Sequence, residues 1–185
     1  TTPYAPNSPY SASKAASDMI VRAYFQTYGM NLVTTNCSNN YGPHQHDEKL
    51  IPTVIRNAVQ HKPIPVYGKG QNVRDWLFVR DHCSALETAF LTGKAGETYN
   101  IGGNNEWKNL DLVHKICEIL NNKVGKAPDG DYKNLITFVT DRLGHDFRYA
   151  IDASKIKRDL NWEPSPDFDG MLEETILWYV KKYNN

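Results

Sequence analysis

The 185-residue sequence predicts an α/β fold, and two observations carry this prediction. Short segments rich in β-branched residues alternate along the chain with longer segments whose apolar residues recur at three- and four-residue spacing. Turns rich in Gly, Pro and Asn separate these segments. The length is enough for one substantial core and a second small lobe, and the irregular connections in the second half do not resemble a complete doubly wound sheet.

The first helix is predicted from its two ends and from its apolar spacing. Ser8 is a good N-cap residue, and Pro9 suits the first helical position. Alanines and larger apolar residues then recur on one face as far as Tyr24. Gly29 ends the helix, because glycine readily adopts the left-handed conformation found at helix C-termini.

The remaining elements follow from the same two patterns. The predicted strands are 32–37, 64–67, 73–79, 98–101, 136–139 and 148–151. The predicted helices are 51–59, 81–90, 112–120, 152–160 and 171–180, the second and fourth of them capped by Asp81 and Asp152. A polar turn at 38–43 follows the first strand, at the position where α/β sheets meet their ligands, and residues 123–133 predict an exposed loop.

Composition excludes several classes of protein. The chain has 21 basic and 21 acidic residues, so no excess charge indicates binding to nucleic acid or to a membrane surface. No apolar run approaches the roughly 20 residues that cross a bilayer. The three cysteines, Cys37, Cys83 and Cys117, form no C-x-x-C pair, which predicts buried, reduced thiols in a cytoplasmic protein without disulfides or zinc.

Two further features have an ordinary structural interpretation. His44, His46, Asp47 and Glu48 suggest a metal site, but neighbouring polar residues on one loop need not converge, so we predict a solvated loop and no metal. The four tryptophans are expected to pack in the core, since nothing in the sequence indicates that they stack on bases.

Tyr10 and Lys14 lie four residues apart and therefore on one face of the first helix. A tyrosine phenol, with a pKa near ~10, is a poor base at neutral pH, and a lysine ammonium beside it stabilises the phenolate. Such a pair can accept the proton of a sugar hydroxyl while hydride passes to a nicotinamide. The spacing alone is common, and without further context an exposed helical pair is the simpler interpretation.

Several motifs together resemble one enzyme family. Residues 8–14 (SPYSASK) and 39–43 (NNYGP) resemble the active-site helix and the following loop of the extended short-chain dehydrogenase/reductases. Within that family, essentially the whole chain resembles the dTDP-glucose 4,6-dehydratases, through the motifs PVYG at 65–68, RDW at 74–76, YNIGGNNE at 99–106 and DRLGHD at 141–146. Leu143 replaces the proline usual in that family, which affects the rigidity of its loop and not the charged residues.

The resemblance implies that the chain is the C-terminal part of an extended Rossmann-type enzyme. Nothing in these residues matches G-x-G-x-x-G after a strand, and the family's catalytic Thr-Asp-Glu segment also precedes its tyrosine. Residues 1–43 would be a remnant of the NAD-binding domain that carries the Tyr-x-x-x-Lys helix. Residues 44–185 would form mainly a substrate-binding lobe, with some segments returning to the sheet.

The reaction implied by the resemblance has three steps. With NAD as cofactor, dTDP-glucose is oxidised at C4, loses water across C5 and C6, and regains hydride at C6 to give dTDP-4-keto-6-deoxyglucose. The elimination uses the family's Thr-Asp-Glu segment, so we expect the isolated chain to be inactive. The alternatives are a related UDP-sugar epimerase or decarboxylase, which a preference for uridine nucleotides would reveal, and a non-catalytic module that binds a nucleotide sugar.

The resemblance also implies residue roles. Tyr10 and Lys14 would be catalytic and, together with Asn40, would contact NAD. The nucleotide sugar would contact Asn39, Lys49, Leu50, Pro65, Val66, Tyr67, Arg74, Asn109, Asp141, Arg142, Leu143, Gly144 and His145. Local structure offers competing explanations for some of them: Asn39 and Asn40 could satisfy a turn, Asn109 could cap a helix, and Arg74 could form a solvated ion pair with Asp75.

A homodimer is expected as well, because family members pair through two helices of each subunit and the first helix here would be one of them. The face of this helix that packs on a complete sheet would be left apolar in this chain.

Overall fold

A computed structural model describes residues 3–128, 130–141, 144 and 146–184, and it confirms the α/β class. Its helices are α1 (Pro9–Tyr28), α2 (Leu50–Val59), α3 (Val79–Thr92), α4 (Asn109–Lys123), α5 (Ser154–Leu160) and α6 (Phe168–Asn184), with a 3-10 helix at Tyr132–Leu135. Its strands are β1 (Thr34–Cys37), β2 (Asn39–Tyr41), β3 (Ile64–Tyr67), β4 (Val73–Phe78), β5 (Thr98–Ile101), β6 (Glu106–Lys108), β7 (Ile136–Val139) and β8 (Arg148–Tyr149).

Helix α1 begins and ends where the sequence predicts. The backbone N–H of Ser11 donates to the Ser8 side chain at 3.1 Å, and Gly29 closes the helix in the left-handed region with φ 63°. None of the helix residues is buried, and Ile20 is 58% exposed. The expectation that α1 carries an uncovered apolar face is therefore confirmed.

The strands of the described residues form three small sheets. β1 pairs with β5, and β3 pairs with β7, both in parallel. In the largest sheet β4 lies between β2, parallel to it, and the antiparallel β6, with β8 also pairing in parallel to β4. Within each parallel pair the carboxyl ends of the strands lie at the same edge of the sheet, where polar loops can meet a ligand.

Two apolar cores lie on either side of β4. The larger core packs α2, α4 and α6 against Trp76 and Phe78, whereas Leu77, the residue between them, belongs to the smaller core with β5 and α5. This follows from strand geometry, since successive side chains point to opposite faces. All four tryptophans contact one of these cores, as predicted. The division of the chain after residue 43 stays a prediction.

Three local predictions are wrong, each because pairing or packing overrides a local signal. The polar turn 38–43 contains strand β2, which three residues of β4 stabilise. Asp81 lies within the first turn of α3, whose N-cap is Phe78, and Asp152 precedes Ala153, which is the N-cap of α5. Strand β6 was not anticipated, because three residues with no apolar alternation become a strand only by pairing with β4.

The prediction of three buried thiols holds only for Cys117. Cys83 is exposed and Cys37 is half-buried. Cys83 is flanked by His82 and Ser84 and falls on the outer face of α3, so helical periodicity sets its exposure. In the part of the chain that the structure describes, no helix has the length and apolar character needed to cross a membrane.

Candidate functional site

Tyr10 and Lys14 both lie in the first turns of α1, and both are exposed. The Tyr10 side chain is 73% exposed, and its backbone carbonyl accepts a hydrogen bond from Ser13 Oγ at 2.8 Å. The helix thus presents the two side chains on one face to solvent, as the four-residue spacing predicts.

Tyr149 lies on β8 and contacts the end of β1, and its position was not predicted from the sequence. Its hydroxyl donates to the Cys37 carbonyl at 3.2 Å, at the end of β1, while its backbone pairs with Arg74. Burial raises the pKa of Tyr149, and negative charge on Cys37, Asp146 and Tyr10 raises it further. A lone tyrosine on a two-residue strand offered no sequence signal for this position.

Asn39 and Asn40 lie on β2, at the edge that follows β1. The Asn40 side chain donates from Nδ2 to the Ser38 carbonyl at 3.1 Å and to Cys37 Sγ at 3.4 Å, so it does satisfy the local turn. Its Oδ1 atom, however, is buried and has no hydrogen-bond partner among the described residues. This leaves one fixed acceptor available to a ligand. Asn39 is half-buried opposite Trp76.

Asn72 joins three chain segments that are far apart in sequence. Its carbonyl accepts from the backbone N–H of Asn109 at 3.0 Å, and its Nδ2 donates to the Asp146 carbonyl at 3.2 Å. The next residue, Val73, donates from its backbone N–H to the Phe147 carbonyl at 2.8 Å. Asn72 is 7% exposed. It was missed because a polar residue in a Gly-rich turn usually indicates solvent exposure.

Arg74 takes part in the same assembly. It is 8% exposed, and its guanidinium donates to the Asp146 carbonyl at 2.7 Å and to the Val73 carbonyl at 2.7 Å. The interpretation of Arg74 and Asp75 as a solvated ion pair is wrong. Asp75 is 1% exposed and accepts hydrogen bonds from the backbone N–H groups of Gly103 and Asn105. A diphosphate contact by Arg74 stays a prediction.

The residues Pro65, Val66 and Tyr67 form the end of β3, beside β7. The backbone N–H of Gly68 donates to the Val139 carbonyl at 2.8 Å, and a Cβ atom at Gly68 would lie 3.1 Å from Asp141 Oδ2. The structure therefore places the β3 turn against Asp141. Val66 is buried in the larger core, whereas Tyr67 is 40% exposed.

Gly144 is exposed and lies in the left-handed region, with φ 68°, which suits a glycine. The predicted contacts Arg142, Leu143 and His145 lie outside the described residues.

Asn109 is not the N-cap of α4, because that position belongs to Lys108. The Oδ1 atom of Asn109 is buried and has no hydrogen-bond partner among the described residues.

Lys49 and Leu50 lie at the start of α2. Lys49 occupies the N-cap position, and its Nζ atom lies 3.2 Å from Glu48 Oε1. The Leu50 side chain packs against the larger core. Contact of Lys49 and Leu50 with the nucleotide sugar stays a prediction.

The loop that contains His44, His46, Asp47 and Glu48 has a structural role. Asp47 accepts hydrogen bonds from Lys182 Nζ at 2.8 Å and from the Tyr183 hydroxyl at 2.9 Å, and the hydrogen bond from Lys182 lowers the pKa of its carboxyl. The His44 ring packs on Trp178 with ring centroids 4.5 Å apart. The loop is tied to α6, and the described residues contain no cluster of His, Cys, Asp and Glu suited to a metal.

Comparison with known proteins identifies relatives along the whole chain. The family model described as GDP-mannose 4,6 dehydratase matches residues 1–175. A dTDP-glucose 4,6-dehydratase from Salmonella typhimurium is 58% identical over 180 residues, which are 97% of this chain and 49% of the relative. One from Shigella flexneri is 56% identical over 184 residues, 100% of this chain and 50% of the relative. The chain thus spans about half the length of the curated relatives it matches.

Solved structures that are similar to this chain include enzymes of the same name. A dTDP-glucose 4,6-dehydratase from Streptomyces venezuelae, with NAD and TYD bound, is 42% identical with a TM-score of 0.89, covering 100% of this chain and 54% of that one. A dTDP-glucose 4,6-dehydratase from Bacillus anthracis in complex with NAD is 50% identical with a TM-score of 0.86, covering 99% of this chain and 55% of that one. A UDP-glucuronic acid 4-epimerase from Bacillus cereus, 24% identical with a TM-score of 0.83, shares the fold.

Proposed function

Because the chain belongs to the GDP-mannose 4,6-dehydratase family, we propose that it provides the Tyr–Lys pair and the nucleotide-sugar pocket of an NAD-dependent dTDP-glucose 4,6-dehydratase. The choice of dTDP-glucose 4,6-dehydratase as the reaction rests on relatives of 55–58% identity that carry this name. The epimerase alternative has weaker support, since the UDP-glucuronic acid 4-epimerase is 24% identical. The chain spans about half of its relatives, so the proposal concerns the activity in which these residues take part.

One set of hydrogen bonds supports the proposed nucleotide-sugar pocket. The hydrogen bonds of Asn72 and the guanidinium of Arg74 hold the start of α4, the start of β4 and residues 146–147 together. The resemblance implies that Arg74, Asn109 and the 141–145 loop belong to one nucleotide-sugar pocket, although up to 71 positions separate Arg74 from that loop. A guanidinium and the flexible backbone of a glycine both suit the oxygens of a diphosphate.

The residues near α1 fit a nicotinamide dinucleotide. The Tyr10 side chain is accessible, and Asn40 Oδ1 is a buried acceptor without a partner among the described residues. When bound, NAD supplies the acceptor for the hydride of the sugar C4 carbon. Tyr10 would take the proton of the C4 hydroxyl, and the Lys14 ammonium would stabilise the negative charge on the phenolate oxygen. Asn39, Lys49 and the residues of the 141–145 loop would hold the nucleotide sugar.

The activity can be tested in a hybrid protein. Joining this chain to the part of the Salmonella relative that it does not match should restore formation of the 4-keto product from dTDP-glucose. Tyr10→Phe in the hybrid should lower kcat by about 10²- to 10⁴-fold, the contribution of general acid–base catalysis. Tyr28→Phe, which changes an exposed tyrosine at the end of the same helix, should leave kcat unchanged. A folded hybrid without product, or equal effects of the two substitutions, would contradict the proposal.

We further infer that the exposed apolar face of α1 pairs with a second copy of the chain. Met19, Ile20 and Tyr24 are 48–58% exposed on this helix, an unusual apolar surface for a monomer. Sedimentation velocity should show a dimer that Ile20→Asp converts to monomer. A monomer in the unsubstituted chain would contradict the inference.

A further inference from the structure

A second pocket, of about 320 Å³, lies beside the larger core. It opens between the end of β4, the 103–105 loop and the segment 163–168 that precedes α6. None of the described residues that the sequence analysis assigned to NAD or to the nucleotide sugar lines it. The residues that matter for its chemistry are Tyr41, Trp76, Phe78, Asp81, Asn105 and Phe168.

Three side chains of this pocket each carry a polar atom without a hydrogen-bond partner among the described residues. The Tyr41 hydroxyl, Trp76 Nε1 and Asn105 Nδ2 are buried and make no hydrogen bond to any described residue. Tyr41 is 1% exposed and Trp76 is 4% exposed. Asn105 Oδ1 accepts from Trp107 Nε1 at 3.0 Å, which fixes the amide with its two N–H donors available. Buried polar groups without partners are rare in folded proteins, so three around one pocket indicate that a bound molecule satisfies them.

The residues that line the pocket indicate the chemistry of the bound molecule. Tyr41 and Phe168 form an aromatic wall, with ring centroids 5.5 Å apart, against which the C–H face of a ring can pack. Asp81 adds an acceptor: its Oδ2 binds the Ser165 backbone N–H at 3.0 Å, and its other oxygen is available for a ligand hydroxyl. Asp81 places a carboxylate in the pocket, which disfavours a phosphate or a nucleotide, whereas the carboxylate of Glu163 pairs with Lys157 Nζ.

We propose that this pocket binds a neutral, hydroxyl-bearing ring of monosaccharide size. Hydroxyl groups can accept from Trp76 Nε1 and Asn105 Nδ2 and donate to Asp81, a combination that a purely apolar ligand cannot match. The volume of about 320 Å³ is at the small end of ligand pockets, which suits a single ring and not a nucleotide sugar. The site is separate from the proposed nucleotide-sugar pocket and does not depend on it.

The tryptophan indoles provide the test, with methyl α-D-glucopyranoside as the probe. In ¹H–¹⁵N spectra of the labelled protein, the Trp76 indole signal should shift saturably as the glycoside is added. The Trp162 indole, which donates to Ser84 Oγ at 2.9 Å, is an internal control and should not move. Trp76→Phe identifies the responding signal by removing it.

A variant measures the contribution of one contact. Tyr41→Phe removes an unpartnered hydroxyl without changing the ring, so the fold should be kept and the affinity for the glycoside should fall about 3- to 10-fold. Tyr28→Phe, at a 69% exposed position, should leave the affinity unchanged. The proposal is overturned by the absence of a saturable Trp76 shift up to molar glycoside, by equal shifts of Trp76 and Trp162, by an unchanged affinity in Tyr41→Phe, or by displacement of the glycoside when dTDP is added.

Discussion

Replacing Asp75 by alanine tests how β4 holds the loop that follows β5. The Asp75 carboxylate is 1% exposed and accepts hydrogen bonds from the backbone N–H groups of Gly103 at 2.9 Å and Asn105 at 2.7 Å. A hydrogen bond to a charged group contributes about 1.5–3 kcal/mol, and Asp75→Ala leaves both donors without their acceptor. The free energy of unfolding should therefore fall by about 3–6 kcal/mol.

Urea unfolding followed by circular dichroism measures this loss by linear extrapolation. Asp75→Asn keeps one acceptor oxygen and should lose an intermediate amount. Asp111→Ala is a matched control, because Asp111 is an exposed carboxylate in the first turn of α4 and should contribute no more than about 1 kcal/mol. A loss below about 1 kcal/mol for Asp75→Ala would refute the reasoning, because it would show that the two hydrogen bonds to Asp75 contribute little to stability.

Three further predictions concern the cores. Burial raises the pKa of the Cys117 thiol to about 12, so the folded protein keeps a proton that the unfolded chain releases, and stability should fall between about pH 9 and 12 by up to ~1.4 kcal/mol per pH unit. Urea titrations in reductant should show a shallower fall for Cys117→Ala than for the exposed control Cys83→Ala; equal slopes would contradict this. Tyr179→Phe, which removes the hydroxyl that donates to the Gln45 carbonyl at 2.7 Å, should cost about 0.5–1.5 kcal/mol in the same assay, and no loss would argue against that contact. Gly103→Ala should lower stability by about 1–3 kcal/mol because its Cβ would overlap the Trp76 carbonyl, and an unchanged unfolding midpoint would show that the loop can move aside.

The sequence predicts those elements whose signals are local. Ser8, Pro9 and Gly29 define α1 correctly because a cap, a first-turn proline and a left-handed residue act within one helical turn. Strands β3, β5 and β7 are predicted with their exact limits, since each is a short run of strand-forming residues between breakers.

Elements that depend on tertiary pairing could not be predicted in the same way. Strands β2 and β6 have three residues each, and only their hydrogen bonds with β4 make them strands. Asn72 and Tyr149 were missed for the same reason. Asn72 and Tyr149 form hydrogen bonds with residues 74 and 112 positions away, and the neighbouring sequence gives no indication of those partners. Arg74 was recognised as a candidate, but its burial became evident only once residues 146–147 were placed beside it.

The proposed function requires that this chain carries a pocket for a thymidine nucleotide. Isothermal titration of the chain with dTDP, UDP and GDP measures this binding. We expect saturable binding of dTDP that is at least about tenfold tighter than that of GDP, a difference of about 1.4 kcal/mol, with UDP also weaker than dTDP. Equal affinities for the three nucleotides, a preference for GDP or UDP, or no binding of dTDP would contradict it.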